Sequence, residues 1–268
     1  MEEKNKNKVD SNKVLVLKDV TKKFGDILAL KGVSLNAYRG KCMGVLGENG
    51  AGKSTLMNII SGVYKKTSGY MEYNFKKYEP RNIKEAENNG VIIIHQELST
   101  INEMTVMDNI FLGSEIKSRL GFIKFKEQEK IINKIFEELK IYISPYQKIA
   151  TLSIAEQQLI EITKAVIRNA NVIIMDEPTS SLSNSETMKL FEIIKKMKKQ
   201  NKAIIYISHR LQEIPIVCEY MTIIRDGKFI NEYKVGEISE NEIIAKMVGR
   251  NIKEKFPQKI FAKKTKIC

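Results

Sequence analysis

Gly47-Glu48-Asn49-Gly50-Ala51-Gly52-Lys53-Ser54-Thr55 fits the spacing G-x-x-x-x-G-K-[ST], and its surroundings decide how the rest of the chain is read. Before it, Lys41-Cys42-Met43-Gly44-Val45-Leu46 is a short apolar run of strand character. After it, residues 53–60 carry apolar side chains at helical spacing. A strand that hands over to a helix through such a loop lets phosphate oxygens approach bare backbone N–H groups. Glycines at 47, 50 and 52 remove the Cβ atoms that would obstruct that approach. The helix N-terminus adds partial positive charge beneath the phosphates. In this pattern Lys53 reaches the β and γ phosphates, and the Ser54 hydroxyl ligates Mg²⁺.

A second stretch, Val172-Ile173-Ile174-Met175-Asp176-Glu177, is an apolar strand ending in two adjacent carboxylates. Asp176 is placed to hold Mg²⁺, directly or through water. Glu177 is placed to orient and deprotonate an attacking water, work worth roughly 10²–10⁴-fold in rate. Alone, the pair also reads as an acidic turn before Pro178. The phosphate loop upstream favours the catalytic reading.

Around these two landmarks the pattern alternates. Val14-Leu15-Val16-Leu17 and Val33-Ser34-Leu35 read as strands, with Phe24-Gly25 at a turn between them. Tyr70-Met71-Glu72-Tyr73 reads as an edge strand, and Val91-Ile92-Ile93-Ile94 as a buried one. Residues 97–167 are mainly helical; within 126–140, Ile131, Ile135 and Leu139 recur four apart and are expected to form the packed side. Strands return at 172–175 and 203–207 and as a hairpin around Asp226-Gly227, with helices at 186–199 and 211–218. The expected fold is α/β, a phosphate-loop NTPase whose mostly parallel sheet carries helices on both faces. An N-terminal antiparallel β-subdomain and an inserted helical subdomain complete it. The expected limits are a disordered polar tail at 1–13 and one domain over 14–250. Within that domain, 14–96 and 166–250 form the core and 97–165 the helical part. Residues 251–268 are expected to be a basic tail or the start of a linker.

Composition narrows the class. The 268 residues are 43% hydrophobic and 29% charged, which excludes a disordered chain or a disulfide-stapled miniprotein. The net charge of +13 suggests phosphate-rich partners, but a general bias towards Lys, Asn and Ile explains it equally well. Cys42, Cys218 and Cys268 stand far apart with no CxxC spacing, as in a reduced cytosolic protein. His95 and His209 are too widely separated for a histidine metal cluster. The polar start has no apolar signal core, and no aliphatic run approaches the ~20 residues that span a bilayer.

Three further elements follow the same order along the chain. Leu152-Ser153-Ile154-Ala155-Glu156-Gln157-Gln158 opens a helix with Ser153 at or near its N-cap, where an anion can bind. Because Ser153 falls on the helical insertion, that anion is expected to belong to a partner's nucleotide. Gln96 follows one buried strand, and His209 in Tyr206-Ile207-Ser208-His209-Arg210 follows another. A GTPase would need N-K-x-D; its one match, Asn7-Lys8-Val9-Asp10, precedes the phosphate loop and is read as chance.

Taken together, residues 14–250 resemble the nucleotide-binding domain of ABC transporters. The resemblance identifies Walker A at 47–55, the Q-loop glutamine Gln96, the signature at 152–157, Walker B with the catalytic glutamate at 172–177 and the switch histidine His209. It implies that Phe24 stacks on adenine and that Ser181-Leu182-Ser183-Asn184 is the D-loop. It also implies ATP and Mg²⁺ as ligands, with Ser54, Gln96 and Asp176 at the metal and Glu177, Gln96 and His209 in catalysis. His95-Gln96-Glu97-Leu98, Asp176-Glu177-Pro178-Thr179-Ser180-Ser181-Leu182 and Met247-Val248-Gly249-Arg250 are similar to the sugar-import branch. Within it the galactose/methyl-galactoside, ribose and xylose types stand nearest, with a lean to the first from Val106-Met107-Asp108-Asn109 and Phe256-Pro257.

The implied partners are a second nucleotide-binding domain, transmembrane permease subunits and, indirectly, an extracytoplasmic sugar-binding protein. The implied location is the cytoplasmic face of the membrane. Ile154-Ala155 departs from the two glycines common in the wider family. Sugar-import ATPases usually carry two such domains per chain, so a separately encoded or missing second half is expected. The rival readings are a non-transport ABC ATPase on ribosomes or nucleic acid, and a truncated remnant that binds nucleotide without working. The former usually needs paired domains joined by a charged helical linker or very long coiled coils, neither of which the sequence shows, so nucleic acid is not the expected partner.

Overall fold

The computed structural model describes residues 12–249. The Asn7-Lys8-Val9-Asp10 match, Arg250, Phe256-Pro257, Cys268, the 251–268 tail and nearly all of the 1–13 tail lie outside the described residues.

The chain opens with an antiparallel pair, β1 (Lys13–Phe24) and β2 (Ile27–Tyr38), turning at Gly25 directly after Phe24. β4 (Ser68–Tyr73) pairs with β1, and the short β5 (Lys76–Lys77) takes the outer edge that the sequence reading gave to residues 70–73. The second sheet is built from β3 (Cys42–Leu46), β6 (Val91–Ile94), β7 (Val172–Asp176), β8 (Ala203–Ile207), β9 (Tyr220–Arg225) and β10 (Lys228–Lys234). Its order is β10-β9-β3-β8-β7-β6, parallel throughout except for the β9–β10 hairpin. β3 and β8 are buried at every position, which is why both read as unbroken apolar runs.

Alternating side chains divide the core into two layers. Met43, Val45, Ile174 and Ile205 face the antiparallel sheet together with Leu56, Met57 and Ile60 of α1 (Lys53–Ile60). Leu46, Ile173, Met175, Ile204 and Tyr206 face the other helices. α2 (Ile83–Asn88) precedes β6. The helical insertion comprises α3 (Val106–Phe111), α4 (Phe125–Leu139) and α5 (Ile154–Ile167). α5 runs past the expected boundary at 165. α6 (Asn184–Lys199) lies between β7 and β8.

α4 does not pack on the stripe expected from Ile131, Ile135 and Leu139. Its buried face is Gln128, Ile132, Phe136 and Leu139; Ile131 is 36% exposed and Ile135 only partly covered. Counting aliphatic residues alone overlooked Phe136, which with Ile132 offers more apolar area one position round the helix. The helix expected at 211–218 is a 3₁₀ turn (Leu211–Glu213) followed by α7 (Ile214–Val217), with Pro215 tolerated in the first turn. α8 (Glu240–Val248) closes the described chain.

The topology decides where chemistry can occur. β3, β6, β7 and β8 run parallel, so the segments after their carboxyl ends gather at one edge. Those segments carry the 47–55 loop, Gln96, Glu177 and His209, at the edge where open parallel sheets bind ligands.

Candidate active site

Leu46 ends β3 and the chain turns at once into the glycine loop. A Cβ on Gly47 would overlap the Ile224 carbonyl oxygen, so this position requires glycine for space. Gly52 caps α1 in the left-handed region (φ 100°) without a side-chain cap, and no acidic residue stands in the first turn. The first N–H groups of α1 therefore face an anion site with positive potential. Lys53 is 7% exposed; its Nζ donates to the carbonyls of Gly47 at 2.8 Å and Glu48 at 3.0 Å. Burial lowers the pKa of its ammonium, against the opposing pull of Glu177 and Asp176.

The loop floors a cavity of about 730 Å³ through Asn49, Gly50, Gly52, Lys53, Ser54 and Thr55. Asp176, Glu177 and Gln96 line its far side. Burial raises the pKa of Asp176, and the neighbouring Glu177 charge adds to this, while His95 and Lys53 oppose it. Glu177 sits in left-handed backbone (φ 47°), a conformation costing a β-carbon residue on the order of 1 kcal/mol or more. Its N–H donates to the Ile207 carbonyl at 3.0 Å, and its Oε1 lies 3.2 Å from His209 Nδ1.

Of the expected residues, the structure thus brings the loop, Gln96, Asp176 and Glu177 around one cavity, with His209 attached through Glu177. Gly47, Glu48 and Ala51 shape the loop from behind: two carbonyls hold Lys53, and Ala51 N–H donates to Glu48. Phe24 does not line the cavity. Its ring, 39% exposed, stands edge-on to Tyr64 at 5.2 Å with Lys22 Nζ 4.7 Å above it. Ser153 is the N-cap of α5, as expected, in a capping box with Glu156, and likewise lies away from this cavity. The D-loop segment ends in a matching box, Ser183 with Glu186, at the start of α6.

Sequence reading did not single out the remaining wall, Ile27, Leu28, Ala29 and Lys31 of β2 with Asp226-Gly227. The Asp226-Gly227 turn was visible as a hairpin, but its use was not. Gly227 N–H donates to the Ala51 carbonyl at 3.1 Å and its carbonyl accepts from Lys31 N–H at 2.7 Å. The hairpin therefore braces the phosphate-type loop, because β9 pairs beside β3.

Known proteins match this arrangement. The family model described as ABC transporter matches residues 30–180. The ribose import ATP-binding protein RbsA of Bacillus subtilis is 43% identical over 243 residues, covering 91% of this chain and 49% of that protein. The galactose/methyl galactoside import ATP-binding protein MglA of Clostridium perfringens is 43% identical over 250 residues, covering 93% and 48%. The chain thus spans about half the length of these relatives. The solved ADP conformation of an ATP-binding cassette of an ABC transporter superposes with a TM-score of 0.78 at 26% identity, covering 89% of this chain and 99% of that one. A nucleotide-free cassette gives 0.75 at 27% identity, covering 89% and 96%. Loop geometry, sheet order and sequence agree, and the chain belongs to the ABC transporter family.

Proposed function

We propose that the chain is the ATP-binding and ATP-hydrolysing cassette of an importer for simple sugars. The observation that carries the reading is the single cavity with Lys53 and the α1 N-terminus on one side and Asp176, Glu177 and the attached His209 on the other. The sugar class rests on the names of the relatives, whose ribose and galactoside types are equally similar to this chain.

The α1 N–H groups and Lys53 bind and orient the triphosphate. Glu177, fixed by its backbone bond to Ile207, accepts the proton of a water aimed at the γ-phosphate, and His209 orients that carboxylate. Mg²⁺ fits the donor set: the Ser54 hydroxyl, the Gln96 amide and the Asp176 carboxylate are hard oxygens on one cavity. When bound, Mg²⁺ supplies neutralisation of phosphate charge.

The exposed Ser153 N-cap suits contact with nucleotide held by a second cassette, so ATP would clamp two cassettes and hydrolysis would release them. Permease subunits and, through them, a sugar-binding protein are the further partners. No helix among the described residues is long and apolar enough to cross a membrane. The proposed place is peripheral, at the cytoplasmic face, through contact with the permease subunits.

The test is titration of the full chain with a fluorescent ATP analogue, with and without Mg²⁺, beside Lys53→Ala. Mg²⁺-dependent binding that Lys53→Ala weakens at least tenfold is expected, since the phosphates lose a charge-assisted partner worth about 1.5–3 kcal/mol. Equal affinity in the variant would overturn the reading.

A further inference from the structure

Glu213 takes no part in the cavity described above, yet it is a buried carboxylate at 6% exposure. Its Oε1 accepts from Thr179 Oγ1 at 2.7 Å, and its Oε2 accepts from Tyr206 Oη and Ser208 Oγ, both at 2.8 Å. The Arg210 guanidinium lies 3.7 Å from Oε1. Hydroxyl donors and a nearby cation suit an acceptor that carries negative charge.

The donors come from two different places in the chain. Thr179 follows Glu177 in the segment leaving β7; Tyr206 lies within β8, and Ser208 immediately precedes His209. The same two segments are stitched again by Glu177 N–H to the Ile207 carbonyl and by Arg210 Nη2 to the Ser180 carbonyl at 3.4 Å. Arg210 N–H, in turn, donates to Ser208 Oγ at 2.9 Å. Packing alone would be served as well by an apolar side chain, because a buried ion with its partners seldom stabilises more than apolar residues of similar volume. What the carboxylate adds is direction: it fixes which way each segment leaves its strand.

We propose that Glu213 is a positioning residue for hydrolysis, locking the β7 and β8 exits together so that Glu177 and His209 remain in contact. The proposal rests on the reading of Glu177 and His209 as the hydrolytic pair. Glu213 itself does not line the cavity; it acts through Thr179 and Ser208.

The experiment compares kcat, KM and nucleotide affinity of the full chain with Glu213→Ala, Glu213→Gln, Thr179→Val and Ser208→Ala. Loosening the pair by about 1 Å should lower kcat of Glu213→Ala by about 10–100-fold. Affinity for the ATP analogue should stay within about threefold, since the phosphate loop is untouched. Glu213→Gln, which keeps an acceptor for Tyr206 and Ser208, should recover most of the loss. Added to His209→Ala, the Glu213→Ala substitution should cost far less than it does alone, because both act through one contact.

Should Glu213→Ala fail to fold, Thr179→Val and Ser208→Ala carry the test, each lowering kcat at unchanged affinity. Wild-type kcat in the folded variants, or an undiminished loss in the His209→Ala background, would overturn the proposal alone if Glu177→Gln is inactive. Wild-type turnover in Glu177→Gln would overturn both the proposal and the reading beneath it.

Discussion

His209 Nδ1 stands 3.2 Å from Glu177 Oε1, a contact between residues that leave neighbouring parallel strands and lie far apart in sequence. In the function proposed above it orients the carboxylate that lines the cavity, on a residue whose own backbone is left-handed. Glu177→Gln should keep nucleotide binding while phosphate release falls by about 10² or more. His209→Ala should lower turnover in the same direction, again without loss of affinity. Release assays run beside binding titrations separate the two quantities. Turnover near normal in Glu177→Gln would remove that residue from the base role.

Asp176→Asn should raise the thermal midpoint of the nucleotide-free protein. The Asp176 carboxyl has its pKa raised above 3.8 by burial and by Glu177. Between 3.8 and that raised value the native state binds more protons than the unfolded one, so stability falls as pH rises through the window. Above the window the cost is fully present, and Asn escapes it. The midpoint difference between variant and wild type should be largest near neutrality and shrink as pH falls below 3.8. A variant less stable than wild type at pH 7 would refute this account. Function should suffer all the same if Asp176 is the metal donor proposed above.

Much of this site could be read from the chain because its parts are local. The glycine loop, the carboxylate pair and the Ser153 cap each depend on neighbours within a few residues, and each lies where the spacing placed it. Gln96 and His209 could be read only by their order along the chain. The hidden parts depend on strand order. Lys31 and Gly227 reach the cavity because the β2 sheet and the β9–β10 hairpin close over the loop, which no local pattern records. Glu213 falls within the stretch read as a helix at 211–218 and carries no motif of its own; only folding puts Thr179 and Tyr206 on its carboxylate. The α4 stripe went astray for a different reason: adjacent faces of that helix both carry isoleucines, and aromatic volume decided between them.

Cys42 should resist alkylation in the native protein. Burial raises the pKa of its thiol well above 9.0, and the Cys218 sulfur, 3.3 Å away, adds to the shift. The thiolate is the reactive form, so iodoacetamide at pH 9 should label Cys42 only as fast as the fold opens. Mass mapping of labelled peptides, with and without urea, tests this. Rapid native labelling of Cys42 would contradict its burial.

Gly227→Ala should be costly for both stability and binding. The backbone there is left-handed (φ 75°), and a Cβ would overlap the Ala29 carbonyl oxygen. Relief requires β2 or the hairpin to move, which strains the bonds from Gly227 N–H to Ala51 and from Lys31 N–H to Gly227. Gly236→Ala is the matched control: its φ is 88°, but an added Cβ would meet nothing within 4 Å. The control should lose roughly 1–2 kcal/mol from backbone strain alone. Gly227→Ala should lose about 1–3 kcal/mol more, the usual cost of forcing atoms into a packed site. Urea unfolding of both variants gives the difference directly. ATP-analogue affinity should fall only in Gly227→Ala, since only that turn braces the phosphate loop. Equal destabilisation of the two variants, with affinity unchanged in both, would mean that the hairpin merely borders the cavity and does not hold its floor in place.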